Sequence, residues 1–239
     1  MSKRLFSILT ALTGIFSVPL LYLSFNMAPK PPVDPAQLLI YARQYHNGLI
    51  YGGYLQAAMP FVIVLFALAI VHLAGATTSF AGWATVLGGI SLVILALLEG
   101  SLFIFCAFTN SVNVALIGIS LIQALQHFYM AASAALIIPL GIVIIQTRVL
   151  PLILGYIAIV TGVVSLILGF IYFSLPVVDG VVPALTIMQY ISSTWYPVVA
   201  IVLLISNLRG APKQTTEDHK DTFNAHVPSH ATEPIVGAN

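Results

Sequence analysis

Apolar stretches of membrane-spanning length recur along this chain, and almost nothing charged interrupts them. A helix that crosses the hydrocarbon core needs about 20 mostly apolar residues. Six segments meet that length: Leu5–Phe25, Gly48–Leu73, Phe80–Phe108, roughly Ile117–Ile145, Leu150–Leu175 and Pro183–Ser206. Hydrocarbon offers no partner to a free N–H or C=O, so such runs must close their hydrogen bonds internally as helices. A barrel would need short strands alternating apolar and polar, and these runs do not alternate. Composition leads to the same class. Of 239 residues, 59% are hydrophobic and 6% charged, against about 25% charged in a soluble domain. So few charges could not cover a water-facing surface. The fold class expected is an all-α, polytopic transmembrane helical bundle of six spans.

Residues 1–207 read as one six-helix membrane domain and 208–239 as a polar, disordered cytoplasmic tail, because large apolar residues nearly vanish there. Lys3 and Arg4 ahead of the first apolar run resemble a signal peptide, but the run exceeds the usual h-region and no A-x-A-like site follows. It therefore reads as an uncleaved first span. Between the first two spans, Pro29, Pro31, Pro32 and Pro35 favour an extended path. Leu38, Leu39, Ala42 and Tyr45 then recur at helical spacing, which suits a short interfacial helix within a non-cytoplasmic loop, 26–47. A packed extramembrane turn is the alternative. The fourth segment, Val112–Ile145, exceeds what one span needs, so it either tilts strongly or begins with an interfacial or re-entrant piece. Lys3, Arg4, Arg148, Arg209, Lys213 and Lys220 fall on one side of a six-span chain, with Lys30 and Arg43 on the other. Positive charge gathers in the cytoplasm, so both termini are expected inside.

Of the seven acids, Glu99 alone lies within a span. A charge at mid-membrane costs about 2.5–3.5 kcal/mol on translocon scales, which makes such a residue a functional candidate by default. The short Thr109–Asn113 connection makes the third and fourth spans antiparallel neighbours and sets Glu99 at a depth similar to that of His127. Gln123, Gln126, His127 and Met130 are three or four apart and share a face. The second span adds Tyr54 and Gln56, and the sixth adds Gln189, Ser192, Ser193 and Tyr196. Together they suggest a polar cavity open toward the non-cytoplasmic side, serving a ligand or a proton. Interhelical hydrogen bonds of about 0.6 kcal/mol each are the structural alternative.

No catalytic residue is assignable, since no nucleophile–base pair, P-loop, H-E-x-x-H or Cys-rich motif occurs. No metal site and no cofactor are expected. A b-type haem would want two histidines facing across helices, and His46 and His72 lie near span ends. Nucleic acid is excluded as a partner by the absence of a basic stripe, which leaves the lipid bilayer and protein partners in a membrane complex. The single cysteine, Cys106, reads as a small core residue. Pro19, Pro60, Pro139 and Pro197 fall inside spans and can kink them. Gly48-x-x-x-Gly52 and the series Gly155, Gly162, Gly169 allow close helix packing.

Arg148-Val-Leu-Pro-Leu-Ile-Leu-Gly155, entering a glycine-spaced span, and Leu98-Glu99-Gly100 on the third span are similar to a family of small bacterial six-helix membrane proteins that carries only a domain-of-unknown-function label. That family often has a basic residue just ahead of the acid, where this chain has Leu97-Leu98. The resemblance covers about residues 5–207. It implies six spans and a bacterial plasma membrane, and no activity. The function expected is that of a non-enzymatic accessory subunit or small-molecule-binding bundle. The alternatives are a proton-coupled transporter using Glu99 and His127, and third a membrane-embedded enzyme or b-type haem protein.

Overall fold

The computed structural model describes residues 3–29, 32, 34–174 and 181–208. Among them there is no strand. Six helices are long and apolar enough to cross a membrane: α1 (Lys3–Phe25), α3 (His46–Leu73), α4 (Phe80–Phe108), α5 (Val112–Thr147), α6 (Leu152–Ser174) and α7 (Val181–Leu208). A short helix, α2 (Leu38–Gln44), follows a single 3-10 turn. The expected spans are met closely, because in a lipid solvent the apolar run itself sets helix length. The long fourth segment is a single unbroken helix of 36 residues that passes through Pro139. The expected tail lies outside the described residues.

The six long helices form a closed ring in which each packs on its neighbours in sequence and α7 returns to α1. Consecutive helices run antiparallel. At one end, Phe6 of α1 meets the His72 ring edge-on at 5.4 Å, and Asn207 Nδ2 of α7 donates to Ser7 Oγ at 2.6 Å. The other end carries α2, and is called the α2 end below. Local chemistry fixes the turns. Ser79 accepts from the Gly82 N–H at 3.0 Å and starts α4, after a turn that places Gly75 at φ 65. α5 ends on Arg148, whose φ of 53 is left-handed and whose N–H donates to Ile144 O at 2.9 Å.

Small residues bring the helices together. On α1, Ser7, Thr10, Gly14, Ser17, Leu21 and Ser24 recur every three or four positions, and the four hydroxyl residues are buried. The hydroxyls of Thr10, Ser17 and Ser24 donate to carbonyls of their own helix, so the face they leave is flat and satisfied. Gly14 abuts Ala200 and the Phe66 ring, with a Cβ built there lying 2.7 Å from each. Gly52 approaches Ser24 O, and Gly155, Gly162 and Gly169 all pack on α5.

The interior is layered. The half of the ring away from α2 holds a dense apolar core around Phe66, Ile70, Leu136, Ile137, Leu140, Val143 and Val199. A second, small apolar cluster of Ala42, Leu49 and Ala107 joins α2 to α3 and α4. α2 contributes Leu38 and Ala42, which are 3% and 4% exposed, so it packs down onto the bundle. Tyr41 Oη donates to Pro29 O at 2.6 Å, and His46 Nδ1 lies 3.0 Å from Ala107 O. A recess of about 20 Å³ remains beneath α2, lined by apolar side chains and Cys106, large enough for no more than a water-sized guest.

Candidate functional site

Polar side chains occupy the layer between those two apolar clusters. Glu99 lies in α4 with 1% of its surface exposed. α4 presents two faces to two neighbours. Gly89 and Gly100 meet α3, where a Cβ on Gly100 would lie 2.8 Å from Ala57 Cβ. Gly88 meets the Ala135–Leu136 backbone of α5, and Cys106 meets Gly118 of α5. Glu99 stands three turns beyond Gly88 at about 3.6 residues per turn, on the α5 side of α4. Tyr129 of α5 is within electrostatic reach of Glu99. Its direction fits, because helical side chains lean toward the helix N-terminus. On α5 that lean carries the phenol toward the α2 end, and so toward the residues opposite Glu99.

Gln56 of α3 is 5% exposed. It follows Gly53 by one turn, and a Cβ on Gly53 would lie 2.9 Å from Gly100 O. Gln56 and Glu99 therefore flank one close approach of α3 and α4. Gln56 also falls between the α3 face that meets α4 (Gly53, Val64) and the face that meets α1 (Gly52, Phe66). It points into the ring.

Tyr196 of α7 is 4% exposed. α7 meets α1 through the Tyr22–Tyr190 stack at 5.5 Å and through Ala200 at Gly14. It meets α6 where Trp195 Nε1 donates to Leu154 O at 3.0 Å. Tyr196 points between these two seams into the ring, edge-on to Phe66 with ring centroids 6.5 Å apart. Gly14 touches both Ala200 and the Phe66 ring, and that ring leans one turn toward the α2 end. Tyr196 lies a turn beyond Ala200 in the same direction and packs with Phe66 and Trp195 in the apolar core. Ser192 is buried on the same face, and Thr161 and Ser165 are buried on α6. Tyr196 Oη and Ser165 Oγ are buried with no hydrogen-bond partner among the described groups.

The structure thus brings Gln56, Glu99 and Tyr196 to the interior. Tyr54 is 67% exposed; two residues from Gln56 is about 200° round the helix, so the two cannot share a face. Gln123 is exposed as well. α5 meets α6 with Met130 at Gly169, so the position opposite Gln123 falls past Ser174, outside the described residues. The side chains of Gln126, His127 and Gln189 lie outside the described residues. Tyr129, Thr161 and Ser165 were not singled out from the sequence. Single hydroxyls in an apolar run mark nothing until the facing helix is known, and only the four-residue spacing of Thr161 and Ser165 hinted at a shared face. The expected opening toward the α2 end is not met on the α3–α4–α5 side, where α2 and its apolar cluster cover the polar layer. Among the described residues no three His, Cys, Asp or Glu side chains gather as a metal site.

Compared with family models, curated proteins and solved structures, the chain matches none. Its own architecture carries the conclusion: this is an integral, multi-pass membrane protein, a six-helix bundle with a polar layer enclosed between two apolar ones.

Proposed function

We propose that the bundle is a non-enzymatic binder of a small polar molecule, held in its interior by Glu99, Gln56 and Tyr196. The observation that carries this reading is the Tyr196 hydroxyl, buried with no partner among the described groups in a bundle that also encloses Glu99 and Gln56. A buried hydroxyl left unsatisfied costs about 1–3 kcal/mol, and native structures rarely leave one so. A guest with hydrogen-bonding groups would satisfy it. Amides, phenols and one acid are suited to holding a polar molecule, and an apolar layer on either side would shield it from water. His127, whose side chain lies outside the described residues, belongs to the same proposal as a second titratable member. So do a bacterial plasma membrane as the setting and protein partners within it.

Proton-coupled transport is a second reading, favoured by the burial of Glu99, the one acid in the described spans. Purified protein in detergent, melted against a panel of small polar compounds, tests the first. A compound-specific rise in melting temperature that Tyr196→Phe and Glu99→Gln both lose supports binding. No shift across the panel, together with stoichiometric subunits co-purifying from the native membrane, would replace it with an accessory role. Uptake into proteoliposomes driven by a pH gradient and lost in Glu99→Gln would favour the carrier.

A further inference from the structure

We infer that α2 is a lid, hinged at Tyr45, over a path that leads down to Gln56 and Glu99; that a guest enters there rests on the binding reading above. Register on three helices carries the inference. Leu49 of α3, Cys106 of α4 and Ile122 of α5 line the recess beneath α2. α3 and α5 begin at the α2 end and α4 finishes there. Seven residues further into the bundle, α3 therefore presents Gln56, α4 presents Glu99 and α5 presents Tyr129. Seven residues are two turns, which return to the same helix face about 10 Å deeper. The side chains that line the recess thus stand above three polar ones, of which Gln56 and Glu99 are buried. α2 closes the end of that column.

The two sides of Tyr45 are held unequally. On the bundle side, His46 Nδ1 lies 3.0 Å from Ala107 O at the end of α4, and its ring meets Phe108 edge-on at 5.0 Å. Gly48 and Gly52 bring α3 against the backbone of Met27 and Ser24. α3 is therefore pinned from its first residue. On the other side, α2 has seven residues and no side-chain cap at its start, and so short a helix has little stability of its own. Leu38 and Ala42 are its buried residues, while Ile40, Arg43 and Gln44 are exposed. Tyr41 Oη on Pro29 O is a latch to the turn after α1.

Two further observations fit a part that moves. The recess of about 20 Å³ left beneath α2 shows that its contact with the bundle is not close-packed. Tyr45, at φ −106 and ψ 22, already departs from helical backbone between α2 and α3, so the chain bends where a swing would turn. A segment with few buried apolar contacts opens locally while the rest stays folded.

The native thiol reports the motion, because Cys106 is the single cysteine of the chain and is buried in the recess. The full chain in detergent is treated with iodoacetamide, and alkylation is followed by mass. Tyr41→Phe, which removes the latch and keeps the ring, should speed alkylation of Cys106 about two- to tenfold, the range of one hydrogen bond. Leu38→Ala should speed it as well, and serves where Tyr41→Phe does not fold. In a Cys106→Ala background, Gln56→Cys should respond to Tyr41→Phe by a similar factor. Ala67→Cys, in the apolar core, should not respond. If neither lid variant changes the rate at Cys106, α2 is not the barrier and the inference falls. Equal acceleration at Ala67→Cys would mean that the whole bundle loosens, which also overturns it. If Cys106 speeds up and Gln56→Cys does not, α2 moves over the recess alone and the path is lost. The binding reading is judged apart, by the compound panel: labelling as expected with no compound bound removes the guest and leaves the lid.

Discussion

Tyr196 and Arg148 are two residues whose local state runs against ordinary preference, one through an unsatisfied group and one through its backbone. Removing the Tyr196 hydroxyl deletes a buried group that has no described partner, and an isosteric ring fills the same space. Tyr196→Phe should therefore leave the guest-free protein as stable as wild type or more stable by up to about 1 kcal/mol, measured by melting in detergent. A loss above that would mean the hydroxyl holds a structural bond. Arg148 occupies left-handed backbone at φ 53, which costs a side-chain-bearing residue about 1–2 kcal/mol and suits glycine at the position after a helix. Part of any gain is offset by the greater freedom of glycine in the unfolded chain. Arg148→Gly should raise stability by up to about 1 kcal/mol; a fall would show that the guanidinium makes a contact worth more than the backbone strain.

Two seams between elements decide whether the polar layer exists at all. The α3–α4 crossing rests on Gly53 and Gly100, and a Cβ on Gly100 would lie 2.8 Å from Ala57 Cβ. Gly100→Ala must push the helices apart and draw Gln56 away from Glu99. A loss of about 1–3 kcal/mol is expected, along with weaker guest binding. Unchanged melting would mean that the seam yields without cost. The α2 cap is held by the Tyr41 hydroxyl on Pro29 O. Burial, with the Tyr45 phenol and Cys106 as lesser causes, raises the Tyr41 phenol above its ordinary value. A raised value means that the folded state holds the proton more tightly than the unfolded state. The stabilisation is whole below the ordinary tyrosine value of about 10 and is lost as pH rises through the higher folded one. Melting of wild type at pH 8 and at pH 11 should show a larger alkaline drop than melting of Tyr41→Phe. Equal drops in the two proteins would dissociate α2 from this proton.

At the scale of the whole molecule the ring is antiparallel, so a single labelled loop fixes the side of every other. If Lys and Arg gather in the cytoplasm, Asn110, between α4 and α5, is expected outside, and Thr78, between α3 and α4, inside. Both residues are exposed. In a Cys106→Ala background, Asn110→Cys should react with an impermeant thiol reagent on intact cells, and Thr78→Cys only after lysis. The reverse pattern would invert the orientation. The α2 end would then face the cytoplasm, and any guest reaching the polar layer past α2 would come from inside.

The apolar runs by themselves determined the class, the number of spans and nearly every helix boundary. Backbone groups in lipid have no other partner, so a run of sufficient length is a helix whatever surrounds it. The burial of Glu99 was legible for a related reason: a lone acid in a span is too costly to face lipid. Which polar residues join it was not legible. Helical spacing groups Gln123 with Met130, but Gln123 is exposed. Tyr54 and Gln56 sit two apart in sequence and on opposite sides of α3. The packing of α2 onto α3, α4 and α5 and the apolar layers above and below Glu99 were likewise invisible. They depend on crossings set by glycines against particular partners, Gly53 on Gly100 and Gly14 between Phe66 and Ala200. A sequence gives the face a residue shares with its neighbours along one helix. Only the tertiary structure says what that face meets.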